Sequence, residues 1–173
     1  DRPPMRPLSS TNGQSPLSEK DILEGLAKMK AGKATGPDGI PIEVFKTCPV
    51  CKQLLIDLLQ KIWLNETVPV AFGEAKFAML FKNKGSSDDM TKYRCLGLLN
   101  HCYKVLSQCM LAKLVAETET FLPDWQAGFR ATRGCRDNVL TLRTLIDQRL
   151  QQDEPTVLTY IDYSAAFDTV SHK

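Results

Sequence analysis

The stretch Thr156-Val-Leu-Thr-Tyr-Ile-Asp162 is a run of β-branched and apolar residues that leads directly to an acidic side chain. Such a run predicts a buried strand over about 156–162. An aspartate at the end of a strand is a suitable metal ligand, because hard cations prefer carboxylate oxygens. Asp162 is therefore the first candidate site residue, and Phe167 and Asp168 follow it closely.

The overall composition is that of an ordinary soluble protein. The 173 residues suffice for one domain with its own core, and 43% of them are hydrophobic. A net charge of +2 is too small to predict a nucleic-acid partner without local basic clusters. No membrane span or signal peptide is evident, so we expect an intracellular protein without a membrane partner. The termini, Asp1 and Lys173, indicate a piece of a longer chain.

The six cysteines are best explained as free thiols, since no secretory signal precedes them. Cys48-Pro-Val-Cys51 has the spacing of half a zinc site, but no second pair has a recognised spacing. A thioredoxin-like dithiol would need a preceding strand, and the helical residues before Cys48 argue against that.

Hydrophobic periodicity predicts a mixed, mostly helical chain with one hairpin. Residues 1–16 are poor in apolar side chains and predict a flexible lead-in. We predict a first helix over 18–31, with Ser18 and Asp21 as a capping box, and a short second helix from Pro41 to Phe45. Three longer helices are predicted over the apolar run that follows, over 101–118, and from a cap near Asp137. The predicted strands are 75–81, 93–99 and 156–162. The predicted inward residues are Ile22, Leu23, Leu26, Ala27, Met29, Leu54, Leu55, Leu58, Leu59, Ile62, Trp63, Val105, Leu106, Met110, Leu114, Val115, Val139, Leu142, Leu145, Ile146 and Leu150.

The segment 31–41 contains three glycines and two prolines and must be a loop with specific turns. Its backbone N–H groups could hold a phosphate. The Walker A order is absent, and a rigid connector between helices is the simpler alternative.

Two further clusters are basic. Around the hairpin, Arg94 has a planar guanidinium whose paired N–H donors suit a phosphate. The lysines of this cluster are equally well explained as solvated surface residues; they are Lys76, Lys82, Lys84 and Lys92. The second cluster comprises Arg130, Arg133 and Arg136, which precede a helix N-terminus where anions are favoured. Solvated loop arginines are the alternative there.

The order of these pieces resembles the N-terminal motifs of reverse transcriptases from non-LTR (LINE-like) retrotransposons. The motifs are Ala34-Thr-Gly-Pro-Asp-Gly-Ile-Pro41, Tyr93-Arg94 with Leu98-Leu-Asn100, Gln126-Ala-Gly-Phe-Arg130 with Arg133-Gly134 and Asp137, and Tyr160-Ile-Asp-Tyr-Ser-Ala-Ala-Phe-Asp168. The resemblance implies an α+β, incomplete right-hand polymerase domain. Its parts would be the lead-in (1–16), the mostly helical fingers with a β-hairpin (17–155) and the first palm strand with motif A (156–173).

The resemblance also implies an RNA-directed DNA polymerase whose partners are an RNA template, a DNA primer and deoxynucleoside triphosphates, in a nuclear and cytoplasmic ribonucleoprotein. Asp162 would be the catalytic acid and would bind Mg²⁺, one of two ions in the intact enzyme, together with the backbone carbonyl of Tyr163. Asp168 would be structural. Nucleotide contacts would come from Arg94, Lys82 and Phe167, and template contacts from Gly36, Pro37, Asp38, Gly39, Gln126, Gly128, Phe129, Arg130 and Arg133.

Other interpretations of these residues and of the function remain open. Phe167 could be a core residue rather than a sugar-sensing one, and we expect the 173 residues alone to be inactive because one carboxylate cannot hold two ions. A degenerate copy that still binds nucleic acid without catalysis is the main alternative. A phosphohydrolase with a nucleophilic Asp162 is weaker, since position 164 is Ser rather than a second Asp.

Overall fold

The computed structural model describes residues 16–163, 166 and 169–171. Of the predicted lead-in, residues 1–15 lie outside them. The described chain forms two compact units that divide after Thr120. The first contains α1 (Glu19–Lys28), α2 (Ile42–Thr47), α3 (Pro49–Asn65), a 3-10 helix (Val70–Gly73), β1 (Ala75–Phe81), a second 3-10 helix (Met90–Lys92), β2 (Tyr93–Leu99) and α4 (His101–Thr118), and the second contains α5 (Cys135–Gln151). The helices and the small sheet confirm the α+β class.

The capping box predicted for α1 is present. The Ser18 hydroxyl accepts a hydrogen bond from the Asp21 N–H, and the Asp21 carboxylate accepts one from the Ser18 N–H. The helix ends at Lys28, earlier than the predicted residue 31, because Met29 turns into the extended region with φ −70° and ψ 129°. The Met29 carbonyl then accepts a hydrogen bond from the Lys46 ammonium on α2.

The core of the first unit lies among its four helices. Gly25 of α1 is buried where that helix meets α4, and a Cβ there would be 3.1 Å from the Cys109 sulfur and 3.3 Å from the Val105 carbonyl oxygen. The absence of a side chain therefore lets the two helices approach closely. The buried cluster comprises Leu17, Ile22, Leu26, Ile42, Phe45, Leu55, Ile56, Leu59, Ile62, Phe72, Cys102, Val105, Leu106 and Cys109.

Several apolar residues predicted to be core are exposed instead. On α3, Leu54 is 62% exposed and Leu58 is 37% exposed, whereas Ile56 is buried. These helices carry apolar residues around more of their circumference than one packing partner covers, so only the face with a neighbour is buried. The same correction applies to Leu23 and Ala27 on α1 and to Met110, Leu114 and Val115 on α4.

The hairpin follows the prediction. Strands β1 and β2 are antiparallel, with Phe77 opposite Gly97 and Leu80 opposite Arg94. Both predicted strands have the predicted bounds. Apart from the end residues and Leu98, the residues of both strands are exposed on both faces. The hydrogen-bonded ladder, rather than burial, therefore defines these strands.

The second unit corrects three predictions. Gly134, not Asp137, is the N-cap of α5, and the Asp137 carboxylate accepts a hydrogen bond from the Gly134 N–H at 2.9 Å. No residue of α5 is buried, and the predicted inward residues Val139, Leu145 and Leu150 are exposed. The third correction concerns 156–162, which form no strand, because a strand exists only with a hydrogen-bonded neighbour and none pairs with this segment in the described chain. None of the described helices combines the length and apolarity needed to cross a membrane.

Candidate functional site

The glycine-rich loop between α1 and α2 packs tightly against the start of α4. Gly36 is buried, and a Cβ at this position would lie 2.4 Å from Asn100 Oδ1 and 2.6 Å from the Leu99 carbonyl carbon. No side chain fits at such separations. Gly36 is thus required for the loop to reach the end of β2, while Pro37, Asp38 and Gly39 remain exposed beside it.

Two buried polar side chains at the start of α4 hold this loop. Asn100 Oδ1 accepts a hydrogen bond from the Asp38 N–H at 3.2 Å, and Asn100 Nδ2 donates to the Ala71 carbonyl at 3.0 Å. His101 Nδ1 lies 3.0 Å from the Ile40 carbonyl oxygen, which places the ring proton on Nδ1 as a donor. Both side chains are almost fully buried. The loop is therefore fixed at Asp38 and Ile40, and its outer surface is presented in one conformation.

Side chains of α2 hold the opposite end of the loop. Glu43 accepts a hydrogen bond from the Gly32 N–H, and Lys46 donates to the Met29 carbonyl. The Gly32 N–H is the main reason why the pKa of Glu43 is lowered. The segment between α1 and α2 is consequently held at both ends, which supports the rigid-connector interpretation. That interpretation does not conflict with a nucleic-acid contact on the exposed side.

One face of the hairpin carries its cations. Directly opposed residues of an antiparallel pair share a face, and alternate residues along each strand do so too. Leu80 opposes Arg94, and the Lys82 N–H bonds to the Lys92 carbonyl at 2.8 Å as the next pair. This face, called the cationic face below, consists of Lys76, Ala78, Leu80, Lys82, Lys92, Arg94, Leu96 and Leu98.

Within the cationic face, Arg94 differs from its neighbours. Lys92 lies 3.5 Å from the Asp89 carboxylate, and the Lys82 ammonium donates to the Thr91 carbonyl at 3.0 Å. The exposed Arg94 guanidinium forms no hydrogen bond or ion pair with any described residue. Of the two predicted nucleotide contacts, Arg94 thus offers all its donors to a ligand, whereas Lys82 is partly engaged.

The other face of the hairpin is apolar. Phe81 and Tyr93 oppose each other, and their ring centroids are 5.2 Å apart. The face also carries two exposed side chains, Phe77 and Met79, which are 68% and 48% exposed. One face of this small sheet thus combines cations with apolar side chains, whereas the other face is apolar.

The second basic cluster lies in the loop before α5. The Arg133 guanidinium donates to the Asp124 carbonyl at 2.8 Å and to the Asp124 carboxylate at 2.9 Å. Arg130 donates to the carbonyls of Pro123 and Gln126 at 2.9 and 3.2 Å. These arginines hold the loop through internal hydrogen bonds. A template contact by either arginine would therefore have to share N–H donors that already bond within the loop.

Phe129 directly precedes Arg130 and is the most exposed large side chain of the loop. It is 98% exposed and has φ 61°, the left-handed region that costs a non-glycine residue about 1–2 kcal/mol. Gly128 is exposed beside it, and Gln126 Nε2 donates to the Gly128 carbonyl at 3.3 Å. The predicted template residues of this motif are therefore adjacent, with an aromatic ring presented outward.

Asp162 and Tyr163 are both exposed, in a segment without regular structure. Within the described residues, no group of three His, Cys, Asp or Glu side chains could hold a metal ion. Mg²⁺ takes six ligands in near-octahedral geometry. The described donor set therefore does not fit a complete Mg²⁺ site. Phe167 and Asp168 lie outside the described residues.

Comparison with known proteins identifies the family. Residues 81–173 match the family described as "Reverse transcriptase (RNA-dependent DNA polymerase)". This chain belongs to that family. The match begins at the end of β1 and includes Lys82, Arg94, the arginine loop and Asp162, so it confirms the non-LTR reverse transcriptase resemblance seen in the order of the motifs.

Three curated proteins are similar to this reverse transcriptase chain. It is 25% identical over 169 residues to "Probable RNA-directed DNA polymerase from transposon BS" of Drosophila melanogaster, covering 96% of the chain and 19% of that protein. The second is "RNA-directed DNA polymerase from mobile element jockey" of Drosophila funebris, 25% identical over 91% of the chain and 18% of that protein. The jockey polymerase of Drosophila melanogaster is 23% identical over the same shares. The chain spans about a fifth of the length of these relatives.

Sequence reasoning missed the residues that position the glycine-rich loop. The sequence motifs include Asn100 but assign no role to His101. A usable signal was present, because an Asn-His pair between an apolar strand and an apolar helix places polar atoms where burial is expected. Such buried polar groups need partners, and here Asn100 and the Nδ1 atom of His101 find them in backbone groups of Asp38, Ala71 and Ile40.

Proposed function

We propose that the chain is the fingers and the start of the palm of an RNA-directed DNA polymerase encoded by a non-LTR retrotransposon. Residues 1–16 would be a lead-in, 17–155 the fingers, and 156–173 the beginning of the palm with motif A. The observation that carries the proposal is the family match across residues 81–173, which includes three of the four sequence motifs. The substrates would be an RNA template, a DNA primer and deoxynucleoside triphosphates.

The cationic face of the hairpin is the proposed contact for the incoming triphosphate. Arg94 carries a guanidinium whose planar donors match phosphate oxygens, and none of them is used within the described chain. Lys82 would add charge from the same face. The glycine-rich loop would line the template with Gly36, Pro37, Asp38 and Gly39. Its four anchoring side chains favour a preformed surface, which reduces the entropy lost on binding.

The loop from Gln126 to Arg133 is the proposed second template contact. Phe129 presents an exposed aromatic ring of the kind on which nucleic-acid bases stack. Gly128 would allow close approach of a strand, and Arg130 and Arg133 would contribute positive charge while bracing the loop. Phe167 would contact the sugar of the nucleotide, as the sequence resemblance implies.

Asp162 is the proposed catalytic carboxylate. With the Tyr163 carbonyl it would contribute to, and not complete, the binding of Mg²⁺, which in this enzyme class supplies the charge that balances a transferring phosphoryl group. We therefore propose that the 173 residues alone do not polymerise. The test is incorporation of labelled deoxynucleotide on an RNA template with a DNA primer in Mg²⁺ buffer. Incorporation above background that is lost in Asp162→Asn would refute the inactivity.

Nucleic-acid contact is tested separately by fluorescence anisotropy with a labelled RNA–DNA hybrid and a deoxynucleoside triphosphate. Arg94→Ala should weaken binding several-fold and lower the salt dependence, because one phosphate contact is lost. Lys61→Ala, which removes an exposed cation from α3, is the charge-matched control. Equal losses in the two variants would mean that only net charge matters, and would contradict the proposed role of Arg94.

The alternative, a non-catalytic nucleic-acid-binding remnant, has one observation in its favour. The hairpin ladder is continuous from Ala75 opposite Leu99 to Phe81 opposite Tyr93, so the cationic face is preserved whether or not catalysis is. The reading frame downstream of Lys173 separates the two. A Tyr/Phe-x-Asp-Asp sequence there supports the enzyme, and a stop codon or frameshift supports the remnant.

A further inference from the structure

Two cysteines share one turn at the junction of α2 and α3. Cys48 is the C-cap of α2 and the N-cap of α3, and Cys51 is the third residue of α3. Pro49 begins α3, where a missing N–H removes no helical hydrogen bond. One helical turn rises about 5.4 Å, which is inside the roughly 7 Å limit between the Cα atoms of a disulfide. Both cysteines are free and partly exposed.

The turn gives the two thiols different acidities. The pKa of Cys48 is lowered, chiefly by the backbone N–H and the thiol of Cys51 and less by the Val50 N–H, while burial opposes this shift. The pKa of Cys51 is raised, chiefly because its thiol donates to Cys48. The pair therefore consists of one thiol that ionises readily and one that keeps its proton.

The remaining four cysteines provide a contrast. Cys102 and Cys109 are buried, and burial raises the pKa of Cys102 to about 11. Cys95 and Cys135 are exposed, on β2 and at the first position of α5. Among the described residues, only Cys48 and Cys51 combine partial exposure with a second thiol in the same helical turn.

We propose that Cys48 and Cys51 form a reversible redox site that reacts with small disulfides such as oxidised glutathione. The Cys48 thiolate attacks one sulfur of the small disulfide, whose S–S bond breaks and releases one thiolate. Cys51 then loses its proton and attacks the Cys48 sulfur of the mixed disulfide, which releases the second thiolate. The protein dithiol is oxidised by two electrons to a disulfide, and the small disulfide is reduced to two thiols.

The structure favours this chemistry over a zinc site. A structural zinc site needs about four ligands, and no group of three candidate ligands occurs among the described residues. Helix α2 directly precedes Cys48, so the pair does not belong to a thioredoxin-like unit. The start of α3 nevertheless places both cysteines at a helix N-terminus, where a thiolate is stabilised.

Peptide mapping of the purified 173-residue chain tests the proposal. The reduced protein is incubated with oxidised glutathione near pH 7, remaining thiols are alkylated with iodoacetamide, and the protein is digested with trypsin. Cleavage after Lys46 and Lys52 places both cysteines in one peptide, Thr47-Cys-Pro-Val-Cys-Lys52. The expected product is the internal disulfide of this peptide, reversed by dithiothreitol, formed several-fold faster than any adduct at Cys135.

Two variants distinguish the roles of the thiols. Cys51→Ser should stop the reaction at the glutathione mixed disulfide on Cys48, because the resolving thiol is removed. Cys48→Ser should lose the fast reaction, and Cys95→Ser, the matched control, should leave it unchanged. Alkylation of both Cys48 and Cys51 after oxidation, with glutathione found first on Cys95 or Cys135, would overturn the proposal.

Discussion

The two loops proposed to contact nucleic acid are held in opposite ways. The loop around Gly36 is fixed by buried side chains, Asn100 and His101, whose polar atoms bond to its backbone. The loop around Phe129 is fixed by Arg130 and Arg133, which bond to backbone carbonyls at the surface. Buried hydrogen bonds are costly to break because their groups are left without water, whereas exposed ones exchange with solvent at little cost.

Two loops that both match sequence motifs can therefore differ in rigidity. The first loop should keep its shape without a ligand, because its anchors belong to the helical core. Under the proposed function, the second would exchange its internal arginine bonds for phosphate contacts.

The largest effect is expected for Gly36→Ala. The new methyl group would meet Asn100 and Leu99 at separations below 3 Å, and overpacking of this kind costs about 3 kcal/mol. Gly39→Ala is the matched control, since it has open space and only a φ of +67°, which costs about 1 kcal/mol. Urea unfolding followed by far-UV circular dichroism measures both. Equal losses would show that the close approach at Gly36 is not essential.

Removal of Asn100 should have the next largest effect. Asn100→Ala leaves the Asp38 N–H and the Ala71 carbonyl without their partner, which should lower the free energy of unfolding by about 2–3 kcal/mol. Gln53→Ala is the control, because it removes an exposed amide that bonds to Asp57 on the surface of α3. A loss below about 1 kcal/mol for Asn100→Ala would indicate that the first loop is no better anchored than the second.

An alkaline titration tests the buried surroundings of the first loop. Burial, and secondarily the charge of Asp38, raises the pKa of Cys102 from 9.0 to about 11. The folded state therefore holds this proton more tightly than the unfolded state. The resulting stability is fully present below pH 9 and is lost as pH rises towards 11, by on the order of 2 kcal/mol. Cys102→Ala should flatten the pH profile of urea unfolding between these values, and an unchanged slope would contradict it.

The smallest effect is expected at the second loop. A double-mutant cycle with Arg133→Ala and Asp124→Ala should give a coupling below about 1 kcal/mol, because Asp124 is 95% exposed at its side chain. The coupling should decline further in 1 M NaCl. A coupling of 2 kcal/mol or more would remove the distinction between the two loops.

The sequence was sufficient where local pattern determines structure. The hairpin strands and α4 have the predicted bounds, because apolar runs, turn residues and caps act over a few neighbouring positions. It was insufficient where structure depends on a partner. Met110 and Leu114 repeat with Val105 and Leu106, yet only the latter meet another helix. The run to Asp162 has a strand's composition and no neighbour in the described chain to pair with.

The site was predictable to a similar extent. Motif order indicated Arg94, and the structure adds that its guanidinium has no internal partner in the described chain. The anchoring of the glycine-rich loop by Asn100 joins positions that are 62 residues apart, a relation that no local pattern contains. The placement of Cys48 and Cys51 in the first turn of α3 depends on where that helix begins, which the sequence-based boundaries did not resolve.

The apolar face of the hairpin has a thermodynamic consequence. The heat capacity gained on unfolding arises mainly from apolar groups that become hydrated. Phe77 and Met79 are already about half exposed or more in the folded chain. Calorimetric unfolding of these 173 residues should therefore show a heat-capacity increment per residue below the usual ~12–15 cal/mol/K, with a correspondingly flatter dependence of stability on temperature.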